Sequence, residues 1–180
     1  MPFSINDNSI LLVDLDNTLV FTDTANNLAY IEAIQCYYPN FQFDFSYRIT
    51  RGNLFYLLKS YSGYENVMHP IIERKEVFYE KYLSTIELNG YIYNILKEHD
   101  PNRCFIITNA GLRRVISIID YFGLNDFFRY IFSIRRDKYK ILFGFNFFYE
   151  NKDKVFVFEN DENEICFLNN ILSSEQIFIF

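Results

Sequence analysis

Histidine and cysteine are scarce in this chain, with two of the first, His69 and His99, and three of the second, Cys36, Cys104 and Cys166. The cysteines are odd in number, widely spaced and without a Cys-x-x-Cys pair, which argues against a thiolate or imidazole metal site. Three ordinary buried or half-buried thiols in a reducing compartment are the expectation. Basic charge is also in short supply: 17 Lys and Arg face 23 Asp and Glu, for a formal net charge of -6. No broad cationic face is left to meet a phosphate backbone, which argues against a nucleic-acid partner. No apolar run approaches the ~20 residues of a membrane helix. The stretch Met1 to Asn8 lacks the basic and apolar segments of a secretion signal. These absences point to a soluble cytoplasmic protein with no membrane partner.

What is present fits one ordinary domain carrying a small insertion within 180 residues. Aromatic residues are plentiful, 21 Phe and 15 Tyr, and without basic companions they read as core rather than as a stacking platform. Five short apolar runs read as buried strands: 9–13, 104–107, 130–134, 154–158 and 176–180. A helical pattern lies between two of them, with Val115, Ile118, Ile119 and Phe122 in phase and a stop at Gly123. Strand and helix alternating in this way imply an α/β fold, a parallel sheet of about five strands with crossover helices. From 23 to 89 the pattern is helical instead. Asp23 or Thr24 reads as a helix N-cap there, Pro39-Asn40 as a break, and Gly63 and Pro70 as boundaries between later helices. The expected organisation is a core of 1–22 and 90–180 interrupted by a helical cap.

Two carboxylates two residues apart, Asp14 and Asp16, follow the first strand, and Thr18 comes two residues later. Acids held this close repel unless a cation sits among them, and oxygen donors suit a hard ion such as Mg²⁺. A loop with a helix N-cap from Asp16 or Thr18 is the plain alternative. The second strand ends in Thr108-Asn109-Ala110-Gly111, a hydroxyl and free amides at the start of a helix, suited to phosphoryl oxygens. Lys138 and Lys140 follow the third strand, and Glu159-Asn160-Asp161 follows the fourth. Acid pair, hydroxyl, lysine and acid cluster thus each come after a strand.

In this arrangement the chain resembles the haloacid dehalogenase-like (HAD) hydrolase superfamily over essentially its whole length. The resemblance is to the branch with a helical cap after the first motif, the phosphoglycolate phosphatase and beta-phosphoglucomutase-like proteins. Residues 14–20 resemble the first motif, 106–110 the second and 155–165 the fourth, while the third is a lysine alone. The resemblance implies a three-layer Rossmann-like core plus the cap. It implies Asp14 as nucleophile, forming an aspartyl-phosphate, and Asp16 as the acid that protonates the leaving oxygen and later activates water. Thr108 and the lysine would steady the phosphoryl group, with Asn109 and Thr18 beside the phosphate. Mg²⁺ would bind Asp14, the Asp16 carbonyl and the acidic cluster.

That implied activity is Mg²⁺-dependent hydrolysis of a small phosphorylated metabolite. Asp16 argues for phosphate over halide, because a halide leaving group needs no proton. A sugar phosphomutase and a non-catalytic relative that binds a phosphorylated ligand or a protein are the alternatives. The fourth motif departs from the family pattern, since Asn160 stands where the metal-binding Asp is expected. Either Glu159 and Asp161 hold the ion beside it, or the site binds Mg²⁺ weakly; the first is taken here. Of the two lysines, Lys138 is chosen over Lys140. In the cap, Arg48 and Arg51 read as a surface pair, and Tyr30, Tyr37 and Tyr38 as packing.

Overall fold

Ile10–Val13, four apolar residues in a row, are all buried and form strand β1 of a computed structural model that describes residues 4–180. In chain order there follow β2 (Val20–Phe21), α1 (Asp23–Gln35), α2 (Leu54–Leu58), α3 (Tyr64–Phe78), β3 (Glu87–Leu88) and α4 (Gly90–Glu98). Then come β4 (Cys104–Thr108), α5 (Leu112–Phe122), β5 (Tyr130–Ser133), α6 (Lys138–Leu142), α7 (Asn146–Glu150), β6 (Val155–Glu159), α8 (Glu162–Leu168) and β7 (Ile177–Ile179). The five expected strands pair in parallel in the order β5-β4-β1-β6-β7, and β2 and β3 form a separate two-stranded sheet. The fold is therefore α/β and Rossmann-like.

Side chains alternate across a strand, so Ile10 and Leu12, Phe105 and Ile107, and Val155 and Val157 share one face. They form a single core cluster with Tyr139 and Leu142 of α6, Phe148 of α7 and Leu168 of α8. Each such fully buried side chain contributes about 1.5–3 kcal/mol relative to exposure. Helix α5 ends where the sequence pattern stops, at Gly123, whose φ of 65° closes it in the left-handed region. The three short elements β2, β3 and α7 lack a periodic signal and were not expected. The thiols also differ from expectation: Cys104 is buried, but Cys36 and Cys166 are exposed.

The chain divides into two compact units, one reaching Phe21 and resuming at Leu88–Phe180, the other Thr22–Glu87. The expected boundary after 89 falls instead before Leu88. Asn89 belongs to the sheet unit, where its side chain caps α4 through Tyr91 N and Ile92 N and donates to Thr18 O at 2.9 Å.

In the helical unit, Tyr30, Ile34, Leu54, Leu58 and Ile71 form the core, with Tyr37 and Tyr38 packed against it. Two details of the expected punctuation change. The N-cap of α1 is Thr22, without a side-chain cap bond, because Arg48 Nη1 binds both Thr22 Oγ1 at 2.9 Å and Asp23 Oδ1 at 2.5 Å. Pro70 lies inside α3 rather than between helices, and the burial of its neighbour Ile71 offsets the backbone bond that a proline forfeits. No helix among the described residues is long and apolar enough to cross a membrane.

Candidate active site

The register of β1 on β6 aligns Val13 with Phe158, so the next residues, Asp14 and Glu159, emerge side by side at the carboxyl ends of adjacent strands. On the other flank Val13 pairs with Ile106, which brings Thr108 to the same end of the sheet. The chain passes from β1 to β4 and β5 on one side of the sheet and then returns past β1 to β6 and β7 on the other, the kind of switch point at which open α/β sheets form their ligand sites.

After Asp14 the chain turns sharply. Asn17 adopts φ 60°, a left-handed conformation that asparagine tolerates. Amide bonds from Leu19 to Asp14 O (3.2 Å), Val20 to Leu15 O (3.0 Å) and Asn17 to Val20 O (2.7 Å) close the loop. The turn buries Thr18 completely and directs its hydroxyl to Asn160 Oδ1 at 3.4 Å. The first and fourth motifs thus touch through Thr18 and Asn160.

Lys138, the first residue of α6, is 1% exposed. Its Nζ lies 2.5 Å from Asp14 Oδ1 and 2.7 Å from Glu159 Oε2. Lys140 is exposed and is not brought to these acids. Burial works against the Lys138 charge, but Asp14 and Glu159 outweigh it and hold the ammonium above its usual range. The Asp14 carboxyl is pushed up to about 8, chiefly by burial, with Glu159 and Asp16 adding to the rise and Lys138 opposing it. Tyr139 donates to Glu159 Oε2 at 2.8 Å, and burial first, then the charge of Glu159, keeps its hydroxyl protonated as a donor. Glu159 Oε1 accepts from the amides of Asn160 and Asp161, both at 2.9 Å.

Glu159 and Asp161, expected to hold the ion directly or through water, are both engaged by donors of the protein itself. The oxygens of Glu159 take four hydrogen-bond donors, and Asp161 caps α8 through Asn163 N at 2.8 Å and Glu164 N at 3.3 Å. Among the described residues no group of three or more His, Cys, Asp and Glu is arranged to hold a metal. Oxygen donors for a hard cation remain in the Asp14 carboxylate, the Asn160 amide oxygen and the backbone of the turn. This set is chemically suited to Mg²⁺ but carries less charge than a set of three acids.

At the second motif, Thr108 is 1% exposed and its Oγ1 accepts from Ala110 N at 3.1 Å, which leaves the hydroxyl proton for another acceptor. Asn109 beside it is exposed. One charged residue of the site went unread in the sequence. Arg114, in the first turn of α5, places Nη2 2.5 Å from Asp16 Oδ2. The available signal was its position, since a cation in the first turn of a helix opposes the helix dipole and needs a reason.

No family model matches the chain, and no curated protein does. Solved structures do match. One is a Clostridium difficile protein assigned as a phosphatase, 16% identical, with 97% of this chain and 89% of that one covered at a TM-score of 0.72. Another is a haloacid dehalogenase-like family hydrolase from Streptococcus pneumoniae, 12% identical, covering 91% and 80% at 0.64. A third, from Thermotoga maritima and assigned as a beta-phosphoglucomutase, is 17% identical and covers 94% and 83% at 0.61. The chain has the haloacid dehalogenase-like fold. At these identities the likeness is one of architecture, and the chemistry is argued from the residues.

Proposed function

We propose that the chain is a Mg²⁺-dependent phosphatase that hydrolyses a small phosphomonoester through an aspartyl-phosphate on Asp14. One observation carries the reading: a buried aspartate at the end of the central strand, with Lys138 Nζ at 2.5 Å and Glu159 fixing that lysine from the other side. An aspartate held up to about 8 is costly to ionise, and a structural role would be served as well by asparagine. Nucleophilic attack requires the carboxylate.

In the first step an Asp14 oxygen attacks phosphorus, and the bond to the leaving oxygen breaks as that oxygen takes the Asp16 proton. In the second, water attacks the phosphorus of the aspartyl-phosphate, Asp16 receives the proton, and inorganic phosphate leaves with Asp14 restored. Thr108 donates to a phosphoryl oxygen, and Lys138 neutralises charge while orienting Asp14. Asn109, exposed beside Thr108, lines the phosphate position, whereas Thr18, expected there too, is buried and gives its hydroxyl to Asn160. Asp14, the Asp16 carbonyl and Asn160 would hold Mg²⁺, which supplies charge neutralisation to the transferring group. Glu159 and Asp161 act on the ion through the field and the loop shape rather than as ligands. Two exposed free thiols, Cys36 and Cys166, suit a reducing cytoplasm.

The test is hydrolysis of p-nitrophenyl phosphate by the wild type and by Asp14→Asn, with Mg²⁺ and with EDTA. Metal-dependent turnover that the variant loses is expected. A second reading, a relative that binds a phosphorylated ligand without turnover, has Asn160 in its favour. Phosphate binding by calorimetry, with no hydrolysis under any metal condition, would select it.

A further inference from the structure

At the amino ends of the strands, away from the candidate active site, a pocket of about 200 Å³ opens against the sheet. Ile10, the first residue of β1, and Phe105 of β4 form its floor and are both buried. The exposed Phe147 of α7 stands beside Phe105, with ring centroids 6.5 Å apart. Asp14 follows the other end of β1, about 13 Å away at the ordinary rise of a strand, so the pocket is separate from the acids and the lysine described above.

The rim carries charge. Arg103 Nη1 donates to Asn8 O at 3.0 Å, and its Nε lies 4.0 Å from Asp100 Oδ2. Asp100 Oδ1 accepts from both the amide and the side chain of Asn102 at 3.0 Å, and these bonds hold its carboxyl below the usual range, so it is ionised. Arg129, exposed just before β5, pairs with no acid among the described residues. Its guanidinium lies 5.4 Å from the Tyr130 ring centroid, a contact that braces it without using its N–H groups.

We propose that this pocket is a binding site for a small aromatic monocarboxylate, its ring on Ile10, Phe105 and Phe147 and its carboxylate on Arg129. A cavity of about 150 Å³ already takes a benzene ring, and the planar guanidinium matches a carboxylate with two parallel hydrogen bonds. Two guanidiniums against one carboxylate leave a single positive charge, which suits a monoanion better than a phosphate dianion. The chain's formal net charge of -6 repels anions in general, so affinity must come from the pocket itself. The site stands whether or not Asp14 is a nucleophile.

Benzoate titrated into the full chain at constant ionic strength, followed by backbone amide NMR shifts, tests it. Saturable shifts are expected at Asn102, Arg103, Phe105, Arg129 and Phe147, with a Kd of about 1 mM. Benzamide, which lacks the charge, and acetate, which lacks the ring, should each bind about tenfold more weakly or worse. Arg129→Gln should weaken benzoate about tenfold and Phe147→Ala about threefold, with melting temperatures near wild type because both side chains are exposed. If Arg129→Gln does not fold, Arg129→Lys carries the test with a smaller loss, since it keeps the charge without the fork. No saturation by about 20 mM, shifts centred on Asp14, Thr108 and Lys138, or equal binding of benzamide would each overturn the proposal. So would undiminished benzoate binding by Arg129→Gln, or by Arg129→Lys where that variant stands in. Tighter binding of N-acetylphenylalanine than of benzoate would assign the pocket to a peptide carboxyl terminus and overturn it as well.

Discussion

In the sheet unit Asp14, Arg114, Lys138 and Glu159 are all buried, whereas in the helical unit Lys75 is the buried charge among the described residues. The other ionisable acids and bases of the helical unit among the described residues are half-buried or exposed, and several pair with one another. Arg51, exposed, lies 3.4 Å from the half-buried Glu76, and Lys81 binds Glu32. Its buried polar residues serve its own backbone: Asn26 donates to Ile49 O at 2.7 Å and Asn27 to Tyr47 O at 2.8 Å. Burying four ionisable groups at one end of a sheet carries a desolvation cost that their mutual pairing need not repay. Surface pairs cost and contribute little. The difference supports placing the proposed chemistry in the sheet unit, while the buried asparagines of the helical unit bind its own backbone.

The comparison breaks most visibly at Lys138. Lys138→Ala leaves Asp14 and Glu159 facing each other without their cation, so unfolding free energy should drop by about 3 kcal/mol and turnover by about 100-fold or more. Lys140→Ala should stay near wild type in both denaturant melts and turnover. A subtler test uses pH. The usual aspartate value of 3.8 rises to about 8 at Asp14, so the folded chain keeps a proton that the unfolded chain has lost. That contribution to stability is fully present below about pH 4 and fades as pH rises toward about 8. Without divalent cation, the melting temperature of Asp14→Asn should therefore gain on the wild type as pH rises from about 5 to 8. A constant difference would show that Asp14 titrates normally.

Asn160→Asp restores a charge beside Asp14 and should tighten Mg²⁺ about tenfold by calorimetry, because oxygen-ligand charge tunes affinity. Unchanged affinity would show that residue 160 lies outside the ion's reach. The smallest effect belongs to the helical unit, where Arg51→Ala should change unfolding free energy by no more than about 0.5 kcal/mol.

The legible parts of the fold were those governed by local pattern. Continuous apolar runs marked all five strands, and Gly123 marked the end of α5, since a left-handed residue there is a backbone requirement. Short pieces such as β2 and α7 depend on tertiary pairing and leave no period to detect. In the site, Asp14, Thr108 and Lys138 were readable because each follows a strand end, where the sheet fixes position. What engages Glu159 and Asp161 was not legible, because sequence shows acids but not their donors. Lys138, Tyr139 and two amides occupy Glu159, and a helix start occupies Asp161. Arg114 was hidden because its partner lies far away in the chain, and nothing within its own helix announces Asp16.

Covalent phosphorylation of Asp14 is the central claim, and it can be trapped. The wild-type protein, quenched during turnover of p-nitrophenyl phosphate and treated with borohydride, would be digested and sequenced by mass spectrometry for acyl phosphate reduced to the alcohol. The account predicts reduction at Asp14 and nowhere else, absent without substrate. Turnover without a reduced residue, or reduction at Asp16 instead, would contradict it.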